Sequence, residues 1–227
     1  MLRLHKINKN LVKLLEKHWS KNGQMKKWEV YGVVFNLNKV LEQNLEGDVV
    51  ELGCHRGTTS VYIKRILNLH NSNKEFHVYD SWEGLPEKLD ADISEVPWSS
   101  RFSKGSLKVN KESFVNRFKS EKLEIPFIHS GWFGEISDKE YHEKICFAFL
   151  DGDFYSSILD SLNKIYHKVV PGGIIVIDDC GWNALPGCKK AVDDFMQDKK
   201  ENLLLTGYPN SNYIFGSASL GGKIIKI

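Results

Sequence analysis

From residue 48 onward, short runs of apolar, β-branched and aromatic residues alternate with segments whose apolar positions recur every three or four residues. The runs at 49–52, 76–79, 127–129, 145–150, 174–177, 203–205 and 213–215 read as strands, and the segments at 58–68, 111–120, 156–168 and 187–199 as helices. Such alternation predicts repeated βαβ units, hence an α/β fold with a doubly wound, mostly parallel sheet of seven strands. The last two strands are joined by too short a loop for a parallel crossover, so they are expected to pair antiparallel as a C-terminal hairpin. Ahead of this alternation, Leu4, Ile7, Leu11, Leu14 and Leu15 share one helical face. Lysines interrupt the segment throughout and no small-residue cleavage site follows, so residues 1–27 read as a helical extension packing on the domain or on a second copy of the chain. The stretch 81–105, with Pro86, Pro97, Trp82 and Trp98, has no period. It is long for a structureless connection and reads either as a lid or as a solvated excursion.

A chain of 227 residues with 41% hydrophobic content supports one well-cored domain, here 1–227. The 31 basic and 29 acidic side chains nearly cancel, so no global field favours nucleic acid or an anionic membrane. The expected partner is a small, locally charged molecule, with homo-oligomerisation left open. Cys54, Cys146, Cys180 and Cys188 form no CxxC pair and have no histidine at zinc spacing, which points to a reduced, cytoplasmic protein.

Three places carry candidate chemistry. The segment Val49-Val50-Glu51-Leu52-Gly53-Cys54-His55-Arg56-Gly57-Thr58-Thr59-Ser60 runs from a strand through a glycine-bearing turn into a helix. Glycines there let a ligand approach the backbone, and the helix start offers free N–H groups to an anion. Its GxxxG spacing is not the dinucleotide fingerprint GxGxxG. The second strand ends in Asp80, where a carboxylate in a doubly wound sheet commonly accepts both ribose hydroxyls, although Asp80 also suits a cap for the turn that follows. Most specific are Asp151 with Asp153 and Asp178 with Asp179, each pair following an apolar strand. Carboxylates leaving the same end of adjacent strands repel and lose hydration, and a hard divalent cation with oxygen ligands offsets both costs.

These motifs, GDVVELGCHRGTTS, DSWEGLP, HSGWF, LDGDFYSS, PGGIIVIDDCGW and GCKKAVDDF, together resemble the macrocin O-methyltransferase family over roughly residues 28 to 199. The resemblance implies a class I methyltransferase fold with strand order 3-2-1-4-5-7-6, S-adenosyl-L-methionine as methyl donor, Mg²⁺ or another divalent cation, and a sugar hydroxyl as acceptor. Carried over by position, Glu51, Gly53, Gly57, Thr58 and Thr59 would line the methionine side, Asp80 the ribose with Ser81 beside it, and Ser130, Gly131 and Trp132 the adenine. Asp151, Asp178 and Asp179 match the family's metal ligands, and Asp153 its general base. His55 and His129 are alternative bases. The turn is less glycine-rich than in many relatives and the N-terminal extension is short, so the acceptor pocket is expected to differ.

Three other readings share parts of this pattern. A catechol- or caffeoyl-type enzyme methylates phenols with the same fold and metal logic, but such enzymes usually carry Asp-Asn where this chain has Asp178-Asp179. A nicotinamide-dependent oxidoreductase would explain Asp80 but leaves the aspartate cluster without a purpose. A non-catalytic binding protein on the same fold would have no reason to keep every metal carboxylate.

Overall fold

The computed structural model describes residues 9–19, 25–206 and 221–227. The elements run α1 (Lys9–His18), α2 (Lys27–Glu42), β1 (Asp48–Leu52), α3 (Thr58–Leu69), β2 (Phe76–Asp80), α4 (Lys111–Ser120), β3 (Phe127–Ser130), β4 (Ile145–Leu150), α5 (Tyr155–Ile165), β5 (Val169–Ile177), α6 (Pro186–Met196), β6 (Leu204–Thr206) and β7 (Gly221–Ile225). They build one seven-stranded sheet in the order β3-β2-β1-β4-β5-β7-β6. The first five strands are parallel, and β7 runs antiparallel to both β5 and β6.

The continuous apolar runs are explained by helices on both faces, since a strand covered twice has no polar side. All six residues of β4 are buried. Alternate residues divide cleanly: Val49, Val78, Phe147, Phe149 and Val176 pack under α1 to α4, while Val50, Leu52, Ala148, Leu150, Ile175 and Ile177 pack under α5 and α6. The helix α2 went unrecognised in the sequence, although Val30, Val33, Val34, Leu37 and Val40 are spaced for a single face and all are buried.

Two expectations need correction. The 203–205 strand occurs one residue later, but its partner is Gly221–Ile225. The anticipated strand at 213–215 lies outside the described residues. The 81–105 stretch is neither a bare excursion nor unstructured. It holds 3-10 turns at Asp90–Asp92 and Pro97–Arg101, and its Leu85 joins Phe154 and Leu185 in a small core flanked by Phe102, Leu107 and Trp182. Asp92 ties it down, because Oδ2 accepts the Leu89 N–H (3.0 Å) and Oδ1 the Tyr155 N–H at the start of α5 (2.7 Å). Among the described residues, no helix is long and apolar enough to cross a membrane, and all four cysteines are free and buried.

Candidate active site

The strand order reverses direction between β1 and β4, and in open α/β sheets a ligand crevice opens beyond the carboxyl ends of the strands at such a point. A cavity of about 590 Å³ lies there, within the roughly 300–1,000 Å³ usual for small-molecule sites. Backbone hydrogen bonds carry the sheet one residue past its strands: Gly53 N–H to Tyr79 O (2.9 Å), Asp151 N–H to Leu52 O (2.8 Å), Asp178 N–H to Leu150 O (2.8 Å) and Gly131 N–H to Asp80 O (3.0 Å). These four residues therefore stand in register across the floor of the cavity.

Gly53 is required by this closeness. Its φ is +88°, and a Cβ there would lie 2.0 Å from the Asp151 carbonyl oxygen. The turn after it is held by Asp80, whose Oδ2 accepts the N–H groups of Cys54 (3.0 Å) and His55 (2.9 Å) while Oδ1 accepts that of Trp82 (2.8 Å). Asp80 thus caps its own turn and braces the glycine loop, and its carboxylate still has acceptor capacity for a ligand hydroxyl. Ser81, Gly131 and Trp132 also line the cavity, with Phe133, Gly134 and Glu135 continuing the wall.

Other positions expected at the cofactor stand behind the wall. Glu51 is 1% exposed. Burial, partly offset by the neighbouring Ser60 hydroxyl, pushes its pKa up to about 8, and Oε2 has no hydrogen-bond partner. Gly57 caps α3 in the left-handed region, and Thr58 and Thr59 form that helix's first turn; the Thr59 hydroxyl donates to the Met25 sulfur. Ser130 Oγ accepts the Trp82 indole N–H (3.0 Å) and the Lys111 ammonium (3.3 Å).

The aspartates converge on the opposite wall. One carboxylate oxygen from each of Asp151, Asp153 and Asp179 lies within 4.8 Å of the others. Asp178 is buried beside them, lines the same cavity, and has an Oδ1 without a hydrogen-bond partner. Burial first, then mutual repulsion, holds Asp151, Asp178 and Asp179 well above the ordinary carboxylate range, and burial raises Asp153 to about 7. Glu29, at the start of α2, adds its charge to this repulsion, while the Lys26 ammonium counters it at Asp179. Asp153 (φ +59°) and Asp179 (φ +51°) both take left-handed backbone, which aspartate tolerates better than most residues and which is concentrated at functional sites. Converging carboxylates with a buried orphan oxygen suit a hard divalent cation. Met25, Lys26 and Glu29 were missed as cavity residues; the signal was the apolar face of α2, which places its first turn over the site.

An open sheet of this order, with its crevice between β1 and β4 and an antiparallel pair at its end, is the class I methyltransferase fold. The profile of the Macrocin-O-methyltransferase (TylF) family matches residues 32–206, and the chain belongs to that family. Similar proteins include the 8-demethyl-8-(2,3-dimethoxy-alpha-L-rhamnosyl)-tetracenomycin-C 4'-O-methyltransferase of Streptomyces olivaceus, 32% identical over 69% of this chain and 60% of that protein. The demethyldecarbamoylnovobiocin O-methyltransferase of Streptomyces niveus is 29% identical over 69% and 60%. The matches thus span about 60% of the length of these relatives. Among solved structures, the O-methyltransferase NovP shares the fold with a TM-score of 0.74 at 24% identity, over 92% of this chain and 84% of that one. The calicheamicin methyltransferase CalS11 gives 0.66 at 15% identity, over 96% and 90%.

Proposed function

We propose that the chain is an S-adenosyl-L-methionine-dependent O-methyltransferase that uses a divalent cation such as Mg²⁺ to methylate a hydroxyl of a sugar, in a glycoside or a sugar nucleotide. The observation that carries this reading is the facing of two half-sites across one cavity: the Gly53 turn braced by Asp80 on one wall, the converging aspartates on the other. The rhamnosyl compound in the name of the Streptomyces olivaceus relative favours a sugar or glycoside acceptor. Four buried free thiols suit a reducing compartment such as the cytoplasm.

Asp80 would hold the ribose, Ser81, Gly131 and Trp132 the adenine side, and Gly53 the methionine side, with Glu51, Gly57, Thr58 and Thr59 supporting the turn and Ser130 fixing the Trp82 indole. Asp151, Asp178 and Asp179 would hold the cation, which when bound lowers the pKa of a hydroxyl and orients it. Asp153, with a carboxylate oxygen within 4.8 Å of Asp151 and Asp179, would take the acceptor's proton as the C–O bond forms and the sulfonium C–S bond breaks. Such bases contribute roughly 10²- to 10⁴-fold. Trp182 and Phe102, edge to face at 5.6 Å, border the same cavity and offer an aromatic wall to a sugar ring.

The test is an assay of glycosides against catechols, with and without EDTA, alongside calorimetric binding of S-adenosylhomocysteine and Mg²⁺. Turnover of glycosides that EDTA abolishes supports the proposal. Turnover of catechols alone would move the acceptor to phenols, full activity in EDTA would remove the cation, and binding of neither ligand would leave a non-catalytic fold. Asp153→Asn should cut kcat by about 10²-fold or more with Mg²⁺ affinity retained; loss of both would make Asp153 a ligand.

A further inference from the structure

At the opposite end of the sheet, where the strands begin, a second group of side chains converges. Glu75 and His77 enter β2, Asp48 opens β1, and His142 lies in the loop entering β4. We propose that Glu75, His77 and His142 form a second metal site, for a borderline divalent ion such as Zn²⁺, independent of the methyl-transfer cavity.

Glu75 Oε2 lies 3.2 Å from His77 Nε2 and 3.3 Å from His142 Nε2. A tetrahedral ion with bonds of about 2.0–2.1 Å needs its ligand atoms about 3.3 Å apart, so two of the three edges already have the right length. The three residues each offer a ligand atom within 4.8 Å of the others.

The remaining ring nitrogens face groups of the kind that orient metal-binding histidines. His142 Nδ1 faces Asp48 Oδ2 at 3.3 Å. His77 Nδ1 faces His129 Nε2 at 3.1 Å, and His129 Nδ1 in turn faces Glu140 Oε2 at 3.6 Å. Donation from His77 Nδ1 to His129 Nε2 turns the His77 Nε2 lone pair toward the Glu75 carboxylate. His142 Nδ1 is buried near Asp48 Oδ2 without a hydrogen bond, and with its proton on that side the His142 Nε2 lone pair also faces Glu75, so that three acceptors meet and a cation satisfies them. Stacking on Phe127 at 4.8 Å between ring centroids fixes that ring's plane. Glu75 is half exposed, which leaves the fourth position to water. Two imidazoles and one carboxylate suit Zn²⁺ better than Mg²⁺, whereas the all-oxygen aspartate cluster has the opposite preference. The ion would tie the starts of β1 and β2 to the return leg of the segment that leaves the cavity at Gly131.

The experiment is titration of chelator-treated, dialysed full-length protein with Co²⁺, read by visible absorption, followed by displacement with Zn²⁺ and a thermal shift. The expected result is an intense ligand-field band that saturates at one Co²⁺ per chain, is quenched by Zn²⁺, and persists in Asp179→Asn and in excess Mg²⁺. Glu75→Gln and His142→Ala, at half-exposed and partly exposed positions, should abolish it. Asp48→Asn, which keeps all three ligands, should weaken it about 10- to 100-fold. Absence of the band in the wild type, its survival in both ligand variants, or its loss in Asp179→Asn would each overturn the proposal.

Discussion

Replacing Gly53 with alanine tests whether the two half-sites depend on one contact between strand ends. The added Cβ would sit 2.0 Å from the Asp151 carbonyl oxygen, where real contacts are at least about 3.0 Å, so the ends of β1 and β4 must separate by about 1 Å. Overpacking of this kind costs about 1–3 kcal/mol. Holding alanine at φ +88° adds about 1–2 kcal/mol, giving about 2–5 kcal/mol in all. Gly172→Ala is the matched control: its φ is +82°, but its Cβ would meet only the Leu45 methyls at 3.4 and 3.5 Å, so backbone strain of about 1–2 kcal/mol acts alone. Urea denaturation at fixed Mg²⁺ measures both variants. Because a shift of about 1 Å at reacting groups can cost about 10²-fold, Gly53→Ala should also lose about that much activity under conditions where it remains folded, and Gly172→Ala should lose little. The reasoning fails if Gly53→Ala matches its control in stability, or if the folded variant turns over at the wild-type rate.

Removal of the Asp92 carboxylate by Asp92→Ala strands the Leu89 and Tyr155 N–H groups and should destabilise the protein by about 2–4 kcal/mol in urea; KM for the acceptor should rise more than the S-adenosylhomocysteine Kd, since the 81–105 stretch borders the aromatic wall. Glu201 accepts from the Tyr166 hydroxyl and the Lys226 ammonium, and the Tyr166 hydrogen bond above all lowers its pKa to about 2. Its contribution is therefore present above the unfolded value of 4.5 and lost as pH falls toward about 2, so Glu201→Gln should cost about 1–2 kcal/mol at neutral pH and nothing measurable near the folded pKa. The raised pKa values of Asp151, Asp153, Asp178 and Asp179 have the opposite sign. The metal-free protein retains protons that the unfolded chain has lost, and it weakens as pH rises from the ordinary carboxylate range toward those values. Mg²⁺ should accordingly raise Tm more at about pH 8 than at about pH 5.5, and a constant increment across that range would count against a cation among these carboxylates.

What could be read before the fold was known divides along a physical line. Strands covered on both faces announce themselves as unbroken apolar runs, so β1, β2, β4 and the apolar end of β5 were legible to within a few residues. The β7 strand was not: Gly-Gly-Lys-Ile-Ile has two residues without side chains and an interrupting lysine, and antiparallel pairing with β5 overrides that weak propensity. The candidate site residues follow the same division. Gly53, Asp80, Asp151 and Asp178 each stand at the end of a readable strand, and the sheet's register alone carries them to one cavity. Glu29 and Asp92 reach their places through helix packing and a long connection, which no local pattern specifies. Glu75, His77 and His142 are harder still, because the acceptors meet only after β2 is laid between β1 and β3 and the chain has returned to enter β4. Parallel strands gather the residues at both of their ends, and short apolar runs advertise the aspartates that follow them far better than the glutamate and histidines at their beginnings. A hard-ion site at one end of the sheet and a softer one at the other would therefore be unequal in visibility even if they bound their ions equally well.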